Sequence, residues 1–132
     1  MSDLHRLVKP SAGVRTEANI GARYLERWLG VSDVDDPSVD DRSPLHHADA
    51  IQVPLLLIHG RDDMVAPYEQ SRWMADELKR LHRPYKLVDL KSEDHWLSQS
   101  RTRLQMLEEV VALLKTNNPP GADMPASPRA VP

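Results

Sequence analysis

The chain has 132 residues, 40% of them apolar, and a formal net charge of −3, which is enough for one modest domain. Basic and acidic residues are interspersed, so neither a nucleic-acid partner nor a solvating acidic tail is indicated. The absence of cysteine excludes disulfides and thiolate metal sites. No apolar stretch approaches the roughly 20 residues of a membrane span, and the first residues lack the apolar core of a signal peptide. We therefore expect a soluble, cytoplasmic protein.

The first part of the chain predicts one helix followed by an acidic loop. Apolar residues recur on one face from about Thr16 to the stop signal at Gly30. That face consists of Ile20, Tyr24, Leu25, Trp28 and Leu29. Residues 31–43 carry five aspartates, which is typical of a solvated connection and lacks the glycine and terminal glutamate of a calcium loop. Ser43-Pro44 then opens a turn or a single helical turn through Ala50.

The second part predicts alternating strands and helices. Residues 53–58 are apolar at every position, which favours a strand covered on both faces. A helix over 68–82, a strand over 85–90 and a helix over 101–115 follow. We expect the apolar stripe of the last helix to be core, and it consists of Leu104, Leu107, Val111 and Leu114. Residues 117–132 hold five of the eleven prolines and are predicted to be a disordered tail.

The order of elements predicts an α/β fold. Strands that alternate with helices favour a parallel sheet with right-handed crossovers. Two strands are too few to form a stable sheet alone, because they leave apolar faces and edges uncovered. We therefore expect residues 1–116 to be part of a larger domain with an incomplete sheet.

A carboxylate and an imidazole follow the two predicted strands at equal distances. Asp63 lies five residues after Ile58, and His95 lies five residues after Leu90. Reactive groups of open α/β sheets collect at the C-terminal strand ends, so both side chains should reach the same rim. A carboxylate there can accept one ring N–H of His95 and leave the other nitrogen to take a proton from a serine hydroxyl. Asp63 and His95 are thus candidate members of a hydrolase triad.

The other polar residues near these positions favour plainer interpretations. Asp62 is interpreted as a solvated neighbour and His59 as a structural residue at the strand end. The adjacent His46 and His47 point apart and lack a third ligand, so we expect neither metal nor cofactor. A turn role for Asp63 and an ordinary surface position for His95 are the alternatives to the triad.

At these positions the chain resembles the C-terminal end of the prolyl oligopeptidase family of serine peptidases, with the acylaminoacyl-peptidase and dipeptidyl-peptidase branches most similar. The residues that carry the resemblance are His59-Gly60-Arg61-Asp62-Asp63-Met64-Val65-Ala66-Pro67, Gln70-Ser71, Asp94-His95-Trp96, Ser43-Pro44, Ser2-Asp3-Leu4 and the helix over 101–114. The resemblance implies the C-terminal portion of an α/β-hydrolase fold and peptide-bond hydrolysis through an acyl-enzyme. It also implies Asp63 as the acid and His95 as the catalytic histidine.

The nucleophile that the resemblance implies is not found in the sequence. The family places it in a Gly-x-Ser-x-Gly turn before the acid, and none of the five glycines brackets a serine in that way. We therefore expect residues 1–116 to be a catalytic-domain fragment, inactive alone, that meets a peptide substrate in a full-length parent. One alternative is a non-catalytic module that pairs through its sheet edge with another copy or with a separately encoded N-terminal half. The other is a small esterase with an unorthodox serine.

Overall fold

The computed structural model describes residues 1–8, 20–33 and 35–119. Its elements are α1 (Leu4–Val8), α2 (Ile20–Leu29), α3 (Pro37–Asp40), a 3₁₀ helix (Pro44–Ala50), β1 (Leu55–Gly60), α4 (Glu69–Arg80), β2 (Tyr85–Leu90) and α5 (Ser100–Asn117). The predicted order of strands and helices is therefore confirmed. Residues 16–19 of the first predicted helix and the tail from Pro120 lie outside the described residues. Among the described residues, no helix combines the length and the apolar composition that a membrane span requires.

The two strands form a parallel pair. Their register runs from Leu55 opposite Tyr85 to Gly60 opposite Leu90. The C-terminal ends of both strands therefore lie at the same rim of the sheet. β1 begins two residues later than predicted. Val53 is 65% exposed and lies outside the ladder, and Pro54 has no N–H to donate to a neighbouring strand.

Helix α4 covers the sheet as its periodicity predicts. Met74 and Leu78 are buried against Ala48 of the 3₁₀ helix and against half-buried Leu55 and Leu57 of β1. The acidic residue in the first turn of α4 and the basic residues in its last turn complement the helix dipole. This packing holds the crossover between the strands in place and thereby places the loops that follow them.

A second small core corrects the prediction for the acidic segment in the first part of the chain. Val39 of α3 is fully buried and packs with Leu4 and Leu29, so the acidic segment is not wholly a solvated loop. The apolar face that the sequence predicts for α2 is not fully buried, because Tyr24 and Trp28 are 72% and 69% exposed. The core formed by Leu4, Leu29 and Val39 includes the last residue of that face, and the Tyr24 and Trp28 rings lie outside it.

Buried polar groups attach the N-terminal residues to α4. The Oε1 atom of Gln70 accepts hydrogen bonds from the backbone N–H groups of Ser2 (2.9 Å) and Asp3 (2.8 Å), and its Nε2 donates to the Asp3 carbonyl (2.9 Å). The Ser43 hydroxyl accepts from the Leu4 N–H at 3.0 Å and donates to the Val39 carbonyl at 2.9 Å. Three of the segments that resemble the peptidase family thus form one polar cluster.

Replacing Gln70 with Ala should lower the free energy of unfolding by about 2 kcal/mol, because it leaves two buried N–H groups and a carbonyl without partners. Urea unfolding followed by circular dichroism measures this. The exposed Gln105 of α5 provides the matched control, since Gln105→Ala deletes the same kind of side chain at a position where it is surrounded by water. Equal effects of the two substitutions would contradict the role given to the Gln70 amide.

Two surfaces that were predicted to be buried are open. Residues 55–59 of β1 are only half-buried, so the strand is not covered on both faces. The α5 stripe is also not core, because Leu104, Leu107, Val111 and Leu114 are 57%, 53%, 45% and 49% exposed. Within the described residues β1 pairs with β2 alone, and a two-stranded sheet is too narrow to cover an 18-residue helix.

Candidate active site

The loops after β1 and β2 bring the two predicted site residues together. His95 Nδ1 lies 2.9 Å from Asp63 Oδ2, a hydrogen-bond distance across 32 residues of sequence. The loops are also joined through the backbone, since the N–H of Arg61 donates to the Leu90 carbonyl and that of Asp62 to the Glu93 carbonyl, both at 3.0 Å. The parallel register explains why Asp63 and His95 meet, because the loops that follow the two strands begin at the same rim of the sheet.

The Asp63 carboxylate is buried and receives hydrogen bonds at both oxygens. Its Oδ1 accepts from the N–H groups of Val65 and Ala66, each at 2.8 Å, while Oδ2 faces His95. Burial acts to raise the pKa of the Asp63 carboxyl, but the hydrogen bonds from Ala66, His95 and Val65 outweigh it and hold the pKa below its usual value. Asp63 is therefore ionised at neutral pH and can orient an imidazole.

A second imidazole holds the turn that contains Asp63. His59 Nε2 lies 2.8 Å from the Ala66 carbonyl and 3.3 Å from Asp63 Oδ2, and its Nδ1 lies 2.7 Å from Ser71 Oγ. A carbonyl can only accept, so Nε2 carries the proton and the Ser71 hydroxyl donates to Nδ1. His59 thus has the structural contacts that its position at the strand end predicts, and Ser71 is its partner.

His95 has the orientation of a general base. Since the Asp63 carboxylate accepts the Nδ1 proton, the neutral ring carries its lone pair on Nε2. The side chain is 41% exposed, and within the described residues no hydrogen-bond partner of Nε2 is recorded. The indole of Trp96 packs edge-on against the imidazole, with ring centroids 5.4 Å apart. Nε2 can therefore accept a proton from a group that approaches the rim.

The serines beside this rim are engaged elsewhere. Ser71 binds His59, and the Ser98 hydroxyl donates to Asp94 Oδ2 at 2.6 Å. Ser2 and Ser43 belong to the buried N-terminal cluster. These contacts provide no support for an unorthodox serine paired with His95.

The side chains of Asp62, His46 and His47 have other surroundings. Asp62 is exposed, as its interpretation as a solvated neighbour implies. His46 lies 3.6 Å from Asp40, whereas the His47 ring bonds to the Asp41 carbonyl, so the adjacent histidines have different partners. Among the residues that the structure describes, no group of three or more potential ligands is arranged to hold a metal ion.

An open cavity of about 440 Å³ extends from the rim along the sheet. Asp63 and His95 lie at one part of its wall, and β1 contributes Leu55, Leu57 and Ile58. The cavity therefore connects β1 with the site.

Glu93 is a further residue of the site that the sequence patterns do not identify. Its side chain is fully buried two residues before His95. The sequence shows only an acidic residue before His95 and an amide and a hydroxyl residue, Gln99 and Thr102, near the start of α5, and these indicate a buried carboxylate only once the fold brings them together.

The stability of the chain should depend on Asp63 at low pH. Its pKa is depressed in the folded state, so the stabilisation it contributes is present above the unfolded value of about 3.9 and is lost as the pH falls through the folded value. The difference in free energy of unfolding between the wild type and Asp63→Asn should therefore shrink from pH 6 to pH 3. Urea titrations across that range measure it, and a constant difference would contradict the assigned ionisation.

Parallel strands that deliver a carboxylate and an imidazole to one rim are the arrangement of the α/β-hydrolase fold, and solved hydrolases match the chain. The puromycin-hydrolyzing peptidase of Mycobacterium tuberculosis is 28% identical with a TM-score of 0.76, covering 88% of this chain and 17% of that one. A Thermogutta terrifontis esterase, 20% identical with a TM-score of 0.58, covers 88% of this chain and 41% of that one and supports the fold alone. The chain thus contains part of an α/β-hydrolase fold.

The chain belongs to the prolyl oligopeptidase family, whose family model matches residues 5–118. The uncharacterized peptidase YuxL of Bacillus subtilis is 30% identical over 117 residues, covering 73% of this chain and 18% of the relative. An acylaminoacyl peptidase of Pyrococcus horikoshii, 23% identical with a TM-score of 0.73, covers 87% of this chain and 18% of that one. The chain therefore spans less than a fifth of the length of these peptidases.

Proposed function

We propose that this chain supplies the acid and the base of a serine-peptidase active site, and that the nucleophilic serine comes from outside residues 1–132. The observation that carries the proposal is the 2.9 Å contact between Asp63 and His95 Nδ1, which leaves Nε2 at the open rim. The substrate class follows from family membership, and it is a peptide or an acylated amine.

The chemistry assigned to these residues has two halves. Nε2 of His95 takes the proton of the serine hydroxyl as its oxygen attacks the carbonyl carbon, and Asp63 stabilises the resulting imidazolium. The imidazolium then gives that proton to the leaving amine, which departs from an acyl-enzyme. A water molecule then attacks the acyl-enzyme, with His95 again as the base. This second half releases the carboxylic acid product and regenerates the serine hydroxyl.

Two observations support an external serine. The sequence contains no Gly-x-Ser-x-Gly turn, and the serines near the rim bind other groups. The half-buried β1 and the open cavity beside it provide space for further sheet next to the site.

A hybrid enzyme tests the proposal. The matching segment of the M. tuberculosis peptidase is replaced with this chain, so that the host provides its own serine. We expect the hybrid to hydrolyse puromycin and the isolated chain to be inert. Catalysis by the isolated chain would contradict the proposal.

Matched histidine variants link that activity to this chain. His95→Asn in the hybrid should abolish hydrolysis, because it removes the base. His82→Asn should leave hydrolysis unchanged, because His82 is exposed and its φ of 54° is one that asparagine accepts. Equal activity of both variants would show that His95 is not the base.

The open apolar surfaces favour a second candidate function, an interaction through the sheet edge. Exposed leucines and valine on α5 and the single pairing of β1 within the described residues leave both surfaces available to a partner. The partner would be another copy of the chain or a separately encoded N-terminal half, and added strands are a known recognition mode.

Light scattering after size-exclusion chromatography tests the self-association form of this candidate. A dimer that becomes a monomer in Leu107→Glu, with Glu108→Gln as a control on the same helix, would support it. A monomer at every concentration would reject pairing between copies.

A further inference from the structure

The loop that carries His95 requires an anchor. It passes through left-handed backbone conformations at Ser92 (φ 57°) and Leu97 (φ 54°), which are uncommon for residues with a Cβ and for a large side chain above all. The His95 side chain itself is 41% exposed, and its ring neighbour Trp96 is 73% exposed, so packing covers only part of the imidazole. Something else must keep the ring against Asp63.

The buried carboxylate of Glu93 occupies the base of this loop. Its Oε1 accepts from the Asp94 N–H at 3.1 Å, and both oxygens lie within reach of the Gln99 N–H, at 3.4 and 3.3 Å. The Thr102 hydroxyl contacts Oε2 and also lies 2.8 Å from the Gln99 carbonyl oxygen, so its single proton is shared between these two acceptors. Gln99 is the residue before α5 and Thr102 lies in its first turn, so the side chain ties the loop to the start of that helix.

The backbone of Glu93 ties the same loop to the one that carries Asp63. Its carbonyl accepts from the Asp62 N–H at 3.0 Å. One residue therefore joins the acid loop, the histidine loop and α5.

We propose that Glu93 is the positioning residue that sets His95 against Asp63. This inference rests on the proposed function, because it assigns to Glu93 the geometry of that catalytic pair. A carboxylate suits the position because two of its partners, the backbone N–H groups of Asp94 and Gln99, can only donate, and a glutamine that turned its NH₂ group toward either would lose that hydrogen bond. The sequence motif around His95 thus includes a residue that acts through the loop rather than on the substrate.

The tautomer of neutral His95 reports this positioning without any need for catalysis. Long-range ¹H–¹⁵N spectra, detected on the carbon-bound ring protons, distinguish a protonated Nδ1 from a protonated Nε2. In the wild type we expect Nδ1–H, because Asp63 accepts that proton. Glu93→Gln should shift both ring nitrogens toward the values of a mixed population, whereas Glu108→Gln on the exposed face of α5 should leave them unchanged.

A second pair of variants decides the matter if Glu93→Gln does not fold. Thr102→Val removes a donor to Glu93 at nearly constant shape and should also mix the tautomers, and Thr102→Ser should restore the wild-type shifts. Wild-type shifts in Thr102→Val and in folded Glu93→Gln, with altered shifts in Asp63→Asn, would overturn the inference. Unaltered shifts in Asp63→Asn would overturn it too, since there would then be no pair to position. An inactive hybrid whose His95 tautomer still depends on Glu93 would reject the proposed function alone.

Discussion

Asp63→Asn in the hybrid peptidase should lower kcat by about 10⁴-fold, the loss expected when the acid of such a triad can no longer fix the histidine tautomer. The carboxylate has both oxygens occupied by donors, and the amide can present only one oxygen to them. Its NH₂ group would face either His95 or the backbone N–H groups of Val65 and Ala66. In the first case the imidazole turns its lone pair toward residue 63 and is no longer a base for serine.

Asp62→Asn is the matched control for that experiment. Asp62 is the adjacent aspartate, it is exposed, and its backbone contact to the Glu93 carbonyl is unaffected by the substitution. We expect kcat within about twofold of the parent hybrid, since surface substitutions have small effects. A large loss in Asp62→Asn together with a small one in Asp63→Asn would mean that the acid has been assigned to the wrong residue.

Gly60→Ala should have the second largest effect. A Cβ at Gly60 would lie 2.8 Å from the Glu93 carbonyl carbon and 2.9 Å from the Asp94 carbonyl oxygen, and it would overlap the Glu93 oxygen. These are backbone atoms, so no rotamer change can relieve the contact and the His95 loop must move. We expect about 1–3 kcal/mol lower free energy of unfolding and about 10²-fold lower kcat in the hybrid, the cost of a displacement near 1 Å.

Gly30→Ala separates displacement of the loop from loss of stability. Gly30 has a φ of 70° and nothing within 4 Å of an added Cβ, so alanine there costs backbone strain without a collision. We expect lower stability, by about 1–2 kcal/mol, but unchanged kcat. If Gly60→Ala also retained full kcat, the close approach of the two loops would not matter for activity.

Of all parts of the molecule, the ends of the two strands could be predicted best from the sequence. A continuous apolar run and a second short strand, separated by an amphipathic helix, indicate parallel neighbours, and that geometry alone places Asp63 and His95 on one rim. The structure brings the two side chains to 2.9 Å. Their catalytic role remains a proposal that the hybrid tests.

The surfaces were less predictable, because apolar periodicity identifies a face but not what covers it. The stripes of α2 and α5 are amphipathic in sequence, yet Trp28 and Leu104 are 69% and 57% exposed. Val39 lies among aspartates just after Pro37, and the few valines of that segment form no continuous apolar period. Glu93 was missed for a related reason, since a buried carboxylate is recognisable only from donors that come together in the fold.

Labelling with a fluorophosphonate probe, followed by mass spectrometry of the labelled peptide, tests the central claim most directly. Asp63 and His95 are proposed to activate a serine that lies outside this chain. We predict that the probe labels the host serine in the hybrid, that His95→Asn abolishes this labelling, and that the isolated chain is not labelled at any serine. Labelling of a serine within residues 1–132, or undiminished labelling of the host serine in His95→Asn, would contradict it.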